Sequence, residues 1–289
     1  VAAAVHEPVL SAPEPILSVA PILPPFERVM GAAMFDDLEF FRYRRDGRIA
    51  RIVFNRPNVL NAVHSPAVRE LARLVRAVEA DPETRVVAIS GAGRAFSTGM
   101  DLKELPNGLG DRSFHAAWEG ALRGFETMDK IVVALIHGYA IGGGLQLALA
   151  CDIRVATRSA GFSLPAVREG LIPGLGTLRL ARFIGLGRAK RMALLGTRIY
   201  GEEAERIGLV DHLVNEDTAS EEYEVILRQY LRACSTGARL SKRALITAYD
   251  MGYDDFLRYY LDLQDEATAS PDHREALAAL QELREPVWR

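Results

Sequence analysis

Three consecutive glycines, Gly142, Gly143 and Gly144, stand between an apolar run, Ile131–Ile136, and a helix-forming run over 145–150. Glycine at such a junction lets backbone come close to another group. At a helix start the unpaired N–H groups also point outward. A cluster of donors of that kind suits a developing negative charge, such as a thioester enolate, or a phosphate. A tight strand–helix turn with a packing role alone would use the same residues, and the run by itself leaves both readings open. Other groups with chemical capacity lie near it in sequence: Gln146 at the helix start, His137 just ahead of the glycines, and Glu169 in a later loop.

The elements that must position these groups follow from pattern. Runs over 39–43 and 48–54 flank Asp46-Gly47 and predict a β-hairpin. Ser65-Pro66 predicts an N-cap and first helical position, with Leu71, Leu74, Val75 and Val78 at helical spacing and Asp81-Pro82 closing the helix. A strand over 86–90 leads into the loop from Gly91 to Leu102. A helix over 113–128 precedes the apolar strand Ile131–Ile136, and a strand over 153–156 follows the glycine run. Alternating strands and helices predict an α/β region with parallel pairing. Beyond residue 219 the pattern is almost purely helical, and such a tail must pack on the core or on another subunit. Residues 1–33, rich in Ala and Pro, predict an extended arm, with Met34 as a natural start of the folded unit.

Composition narrows the function classes. With 289 residues, 49% of them hydrophobic, the chain can bury a substantial core. A net charge of -3 with interspersed signs speaks against nucleic acid as a partner. Two cysteines, Cys151 and Cys234, make no disulfide framework, and the six histidines show no metal-ligand spacing. No apolar run reaches the ~18–20 residues of a membrane helix. A reducing, cytoplasmic setting is expected.

Five motifs in one order carry a resemblance: Asn55-Arg56-Pro57 with Leu60-Asn61-Ala62; the run Gly93 to Leu102; Gly138 to Gly144; Gly170-Leu171-Ile172-Pro173-Gly174; and Ala204 to Val210. Together they resemble the crotonase superfamily of enoyl-CoA hydratases and isomerases, over about 38–288. The resemblance implies a spiral of ββα turns, over 34–218 here, and a C-terminal helical region over 219–289 that joins subunits into homotrimers or homohexamers. It implies an acyl-CoA thioester ligand and no cofactor beyond coenzyme A as part of the substrate. It further implies an oxyanion hole from the backbone N–H groups of Met100 and Gly143, each donor supplying about 3 kcal/mol to a thioester oxyanion. For the coenzyme it implies contacts from Thr98, Gly99, Asp101 and Leu102, with Arg56 and Lys103 as phosphate partners. Asp101 is expected to order its own loop rather than to do chemistry.

The sequence also departs from that family. Its hydratases are expected to hold glutamates where this chain has Gln146 and Ala166. Water addition needs one group to activate water and another to deliver a proton. An amide can hold a water but cannot shuttle protons, and alanine does neither. Glu169, one helical turn beyond Ala166, is the nearest replacement, with an ion pair to Arg168 or Arg179 as its plain alternative. Glu119, Glu126 and His115 precede the glycine strand and read as solvated or packing residues, Trp118 as a core or pocket-wall aromatic, and His137 as a structural histidine. The expectation is an acyl-CoA enzyme whose chemistry is isomerase-like rather than hydration. The alternatives are a non-catalytic acyl-CoA-binding protein and a weak hydratase using Gln146 and Glu169.

Overall fold

The computed structural model describes Phe35, residues 37–107 and residues 110–288. The arm expected over 1–33 and the start at Met34 lie outside these residues. The hairpin forms from β1 (Phe41–Asp46) and β2 (Ile49–Phe54) around Gly47, whose φ of +58° is one that glycine adopts without strain. Helix α1 (Ser65–Ala80) buries Val68, Leu71, Leu74, Val75 and Val78. Its N-cap is His64 rather than Ser65, which is already helical and makes no side-chain cap bond. Pro66 thus sits at the second helical position, where a missing N–H is still harmless.

Strand β3 (Val86–Gly91) is buried along its whole length and pairs parallel to β2. Helix α2 (Arg112–Thr127) is capped by Asp111, which accepts from Phe114 N at 2.8 Å. Strand β4 (Ile131–Ile136) then pairs parallel to β3. The glycine run supplies β5 (Tyr139–Ile141) and the start of α3 (Gly143–Ala150), after which β6 (Ile153–Thr157) joins β4. A short second sheet takes β5, β7 (Gly161–Ser163) and β8 (Ile199–Tyr200) in the order β5-β7-β8. Between β7 and β8 lie α4 (Gly176–Ile184) and α5 (Leu186–Leu195), and α6 (Gly201–Arg206) follows. With β9 (His212–Val214), the main sheet is six-stranded in the order β1-β2-β3-β4-β6-β9, parallel except at the hairpin.

A parallel sheet must be covered on both faces. One face packs on α1, α2 and α3 in the main core, with Leu71, Leu122, Phe125, Leu145 and Phe162 deep inside. The other face, with Ile49, Val133, Leu135 and Val155, is covered by Ala219, Tyr223, Ile226 and Leu227 of α7 (Ala219–Leu231). The first helix of the expected C-terminal region is therefore committed to the sheet. Helices α8 (Ser235–Thr247), α9 (Tyr253–Ala269) and α10 (Pro271–Glu282) follow. Lys242 anchors α8: its Nζ donates to Asp152 and to the carbonyls of Phe125 and Lys130 at 2.7–3.0 Å. Helix α9 buries only Leu263 and leaves Tyr253, Leu257, Tyr260 and Leu261 exposed.

Candidate active site

Two ladders hold the loop after β3. On one side Val63 N donates to Gly99 O at 2.7 Å and Asp101 N to Val63 O at 2.8 Å, a parallel bridge that brackets Met100. On the other side Ser97 N donates to Tyr139 O and Ile141 N to Ser97 O, each at 3.0 Å, which binds the loop to β5. Asn61 locks the start of the loop, donating to the carbonyls of Ala92 and Ala95 at 2.9 and 2.8 Å and accepting from Arg56 N at 2.9 Å. In a parallel bridge the central residue turns its own N–H away from the partner strand. Met100 N–H consequently faces away from Val63.

The glycines allow that loop to meet the helix start. A Cβ on Gly99 would stand 2.4 Å from Gly143 N, and one on Gly144 would stand 2.1 Å from Ser97 O. A Cβ on Gly143 would lie 3.6 Å from Met100 N. Gly142, at φ +54°, is the N-cap of α3, so Gly143 N–H is the first of the helix and has no intrahelical acceptor. Among the described residues neither Met100 N–H nor Gly143 N–H donates to a carbonyl. Two neighbouring backbone donors are thus left free at a helix N-terminus, a geometry that stabilises an oxyanion.

The other expected residues are distributed as follows. Gln146, only 8% exposed, lies in the first turn of α3, its N–H taken by Gly142 O at 3.0 Å. Ala166 to Glu169 form a short 3-10 turn ending at Gly170. Glu169 is exposed there and makes no hydrogen bond or ion pair among the described residues. The alternative pairing with Arg168 or Arg179 does not form. Arg168 donates to Gly196 O at 3.1 Å, and Arg179 is taken by two glutamates of α2. Thr98 N donates to Leu60 O at 3.1 Å, and Leu102 and Lys103 are exposed at the start of a 3-10 turn. Arg56 Nη1 donates to Ala62 O at 2.6 Å and to Asp101 at 3.1 Å, so both members of that pair order the loop. His137 Nε2–H donates to Gly93 O at 2.9 Å, and burial holds the imidazole below its usual pKa against that carbonyl's opposing pull. Among the described residues no group of three or more His, Cys, Asp or Glu is placed to hold a metal ion, and no helix is long and apolar enough to cross a membrane.

The packing of α2 on α4 brings up a carboxylate that spacing alone ranked as solvated or packing. Arg179, 5% exposed, donates to Glu119 at 2.7 Å and to Glu126 at 2.6 Å. Burial pulls the guanidinium pKa down, and the two glutamates more than restore it, leaving it above its usual value. Glu119 Oε1 also accepts from Leu175 N at 3.0 Å. At Gly174, a Cβ would stand 2.8 Å from Gln146 Oε1 and 3.1 Å from Glu119 Oε1, so the amide and the carboxylate converge on one point. The residue before Glu119, Trp118, sets its ring edge against Gly143, with Cζ2 3.5 Å from the place of a Cβ there. The seven-residue spacing of Glu119 and Glu126 puts both on one face of α2. Only tertiary packing shows that this face meets Arg179.

A ββα spiral that presents paired backbone donors between a loop and a helix start is an α/β protein of the crotonase-like class. The chain belongs to the enoyl-CoA hydratase/isomerase family, whose model matches residues 44–289. It is 32% identical over 244 residues to a short-chain-enoyl-CoA hydratase of Clostridium acetobutylicum, covering 83% of this chain and 94% of that protein. It is 33% identical over 244 residues to a crotonyl-CoA hydratase of Syntrophomonas wolfei, with the same coverage. An enoyl-CoA hydratase from Bacillus anthracis superposes with a TM-score of 0.81 at 30% identity, over 86% of this chain and 99% of that one.

Proposed function

We propose that this protein is an acyl-CoA enzyme that stabilises the enolate of a bound thioester and moves a proton on its acyl chain, in an isomerase-like reaction rather than ordinary hydration. The thioester oxygen accepts from Met100 N–H and Gly143 N–H, and negative charge that develops on it is stabilised by donors already in place. The convergence of one carboxylate, Glu119, with one amide, Gln146, at Gly174 carries the reading. A proton shift between carbons needs a single group that takes a proton and returns it. Water addition needs two separate duties. Each oxygen of Glu119 accepts one hydrogen bond and keeps a further lone pair. Gln146 orients an acyl oxygen or a water without acid–base action.

Thr98, Gly99, Leu102 and Lys103 line the approach for coenzyme A, while Arg56 and Asp101 hold that loop. The exposed apolar residues of α9 are the surface on which a homotrimer or homohexamer forms, and the protein works in the cytoplasm without a further cofactor. The hydratase names of the relatives favour a second reading, a weak hydratase in which Gln146 and Glu169 order the water. A non-catalytic acyl-CoA-binding role is a third.

Incubation with crotonyl-CoA and 3-butenoyl-CoA in deuterated water separates these readings. Exchange at the α- or γ-carbon and interconversion of the two esters, without hydration, is the expected result. Glu119→Gln lowers that rate by about 10²-fold with thioester affinity unchanged, and Glu169→Gln leaves it intact. Hydration lost in Glu169→Gln and kept in Glu119→Gln transfers the role to Glu169. Tight thioester binding with no exchange leaves the binding role.

A further inference from the structure

Trp118 is 3% exposed, and its Nε1 is a buried donor without an acceptor among the described residues. A donor buried without a partner destabilises a fold, and phenylalanine would fill much of the same space free of that cost. The other tryptophan of the chain behaves ordinarily, its Nε1 donating to Arg232 O at 2.8 Å.

The indole meets Gly143 through Cζ2, 3.5 Å from the place of a Cβ there, and Nε1 lies two bonds from Cζ2 in the same ring. The nearest polar atom to that point, Met100 N, is a donor, as is Gly143 N–H itself, and neither can accept from an indole. The neighbouring carboxylate is turned elsewhere, to Leu175 N and Arg179. Around the rest of the ring the partners are apolar core residues. Among the described residues this N–H therefore has no acceptor, and a thioester seated on the two backbone donors would bring one beside it.

We propose that Trp118 determines acyl specificity: its Nε1–H donates to an oxygen on the acyl chain, so the preferred thioester carries a hydroxyl, carbonyl or carboxylate oxygen at the β-carbon or beyond. The assignment rests on the acyl-CoA reading above and names the substrate class for that site. The thioester oxygen itself is served by the two backbone donors, which leaves the indole for a second acceptor. A bare hydrocarbon chain leaves the indole unpaired in the complex, and an oxygenated chain pairs it. A site that hydrogen-bonds a substrate oxygen discriminates against the analogue that lacks it.

The test is calorimetric binding of butyryl-CoA, 3-hydroxybutyryl-CoA, acetoacetyl-CoA and glutaryl-CoA to the wild-type protein and to Trp118→Phe. The expected result is a Kd raised about 5-fold for at least one oxygenated ester, with butyryl-CoA unchanged. Equal weakening of all four esters, or of none, overturns the assignment. A second readout does not depend on how well the variant folds. The wild-type chain has two indole N–H resonances, one for each tryptophan. That of Trp118 moves downfield with the preferred oxygenated ester and stays in place with butyryl-CoA. An unmoved resonance in every complex also overturns the proposal. Should none of the four esters bind the wild-type protein, the acyl-CoA reading itself fails, which separates that outcome from failure of the donor assignment alone.

Discussion

The proposed oxyanion hole and the side-chain wall beside it are built by different means. The hole consists of backbone: Met100 and Gly143 present N–H groups because two ladders and close glycine contacts fix the loop against the start of α3. The wall consists of side chains, Gln146, Glu119 and Trp118, delivered by two helices and held in part by Arg179 of a third. Backbone donors survive many changes of side chain and fail when the approach of the chain is blocked. A side-chain wall changes its chemistry with one substitution while the fold stays as it was. A family can therefore keep the hole and vary the reaction.

The largest expected effect is at the hole. Gly99→Ala places a Cβ 2.4 Å from Gly143 N at a φ of +79°, and should destabilise the fold by about 4 kcal/mol and abolish thioester binding. Unchanged urea midpoint and affinity would disprove the close approach. On the wall, Arg179→Met removes the cation that Glu119 and Glu126 share, leaving Glu126 with Arg123 alone at 3.2 Å, and should cost about 3 kcal/mol of stability in a denaturant titration. Glu119→Gln keeps one acceptor oxygen and leaves Arg179 with Glu126; it should cost less, about 1 kcal/mol, and lose proton exchange. That difference separates holding the wall from acting in it.

Smaller effects sharpen the contrast. His137 is buried with its folded-state pKa depressed below 6.5. Below that value the unfolded chain binds the proton more readily, so the contribution is full above pH 6.5 and is lost as pH falls through the folded pKa. Wild-type stability should fall by up to about 1.4 kcal/mol per pH unit in that window, and His137→Gln should flatten the slope. Met100→Ala should be the mildest, with proton exchange within about 2-fold, because the donor is the backbone N–H and not the side chain. A loss of about 100-fold in that variant would mean that the methionine side chain, rather than its amide, holds the substrate.

Much of the fold was legible from periodicity and punctuation. Strand Ile131–Ile136 forms over its predicted span, the hairpin forms with its turn at Gly47-Arg48, one residue past the expected Asp46-Gly47, and the glycine run joins a strand to a helix. The N-cap at Ser65 shifted by one residue, since His64 takes the extended conformation there. The tail from 219 reads as uniformly helical, yet its first helix covers the sheet. Helical periodicity shows that a face is apolar and not which surface covers it. The same limit hid Glu119: its spacing to Glu126 defines a face of α2, and Arg179, fifty-odd residues on, meets that face only in the folded chain.

The sequence by itself determined where backbone must approach backbone, because Gly99, Gly142, Gly143 and Gly144 leave no side chain to keep the loop and the helix start apart. It also determined that positions 146 and 166, as Gln146 and Ala166, carry no ionisable group. The tertiary structure alone decided which carboxylate stands beside Gln146 and which indole edge meets Gly143. Those relations join residues far apart in the chain, and they exist only once α2, α3 and α4 have packed.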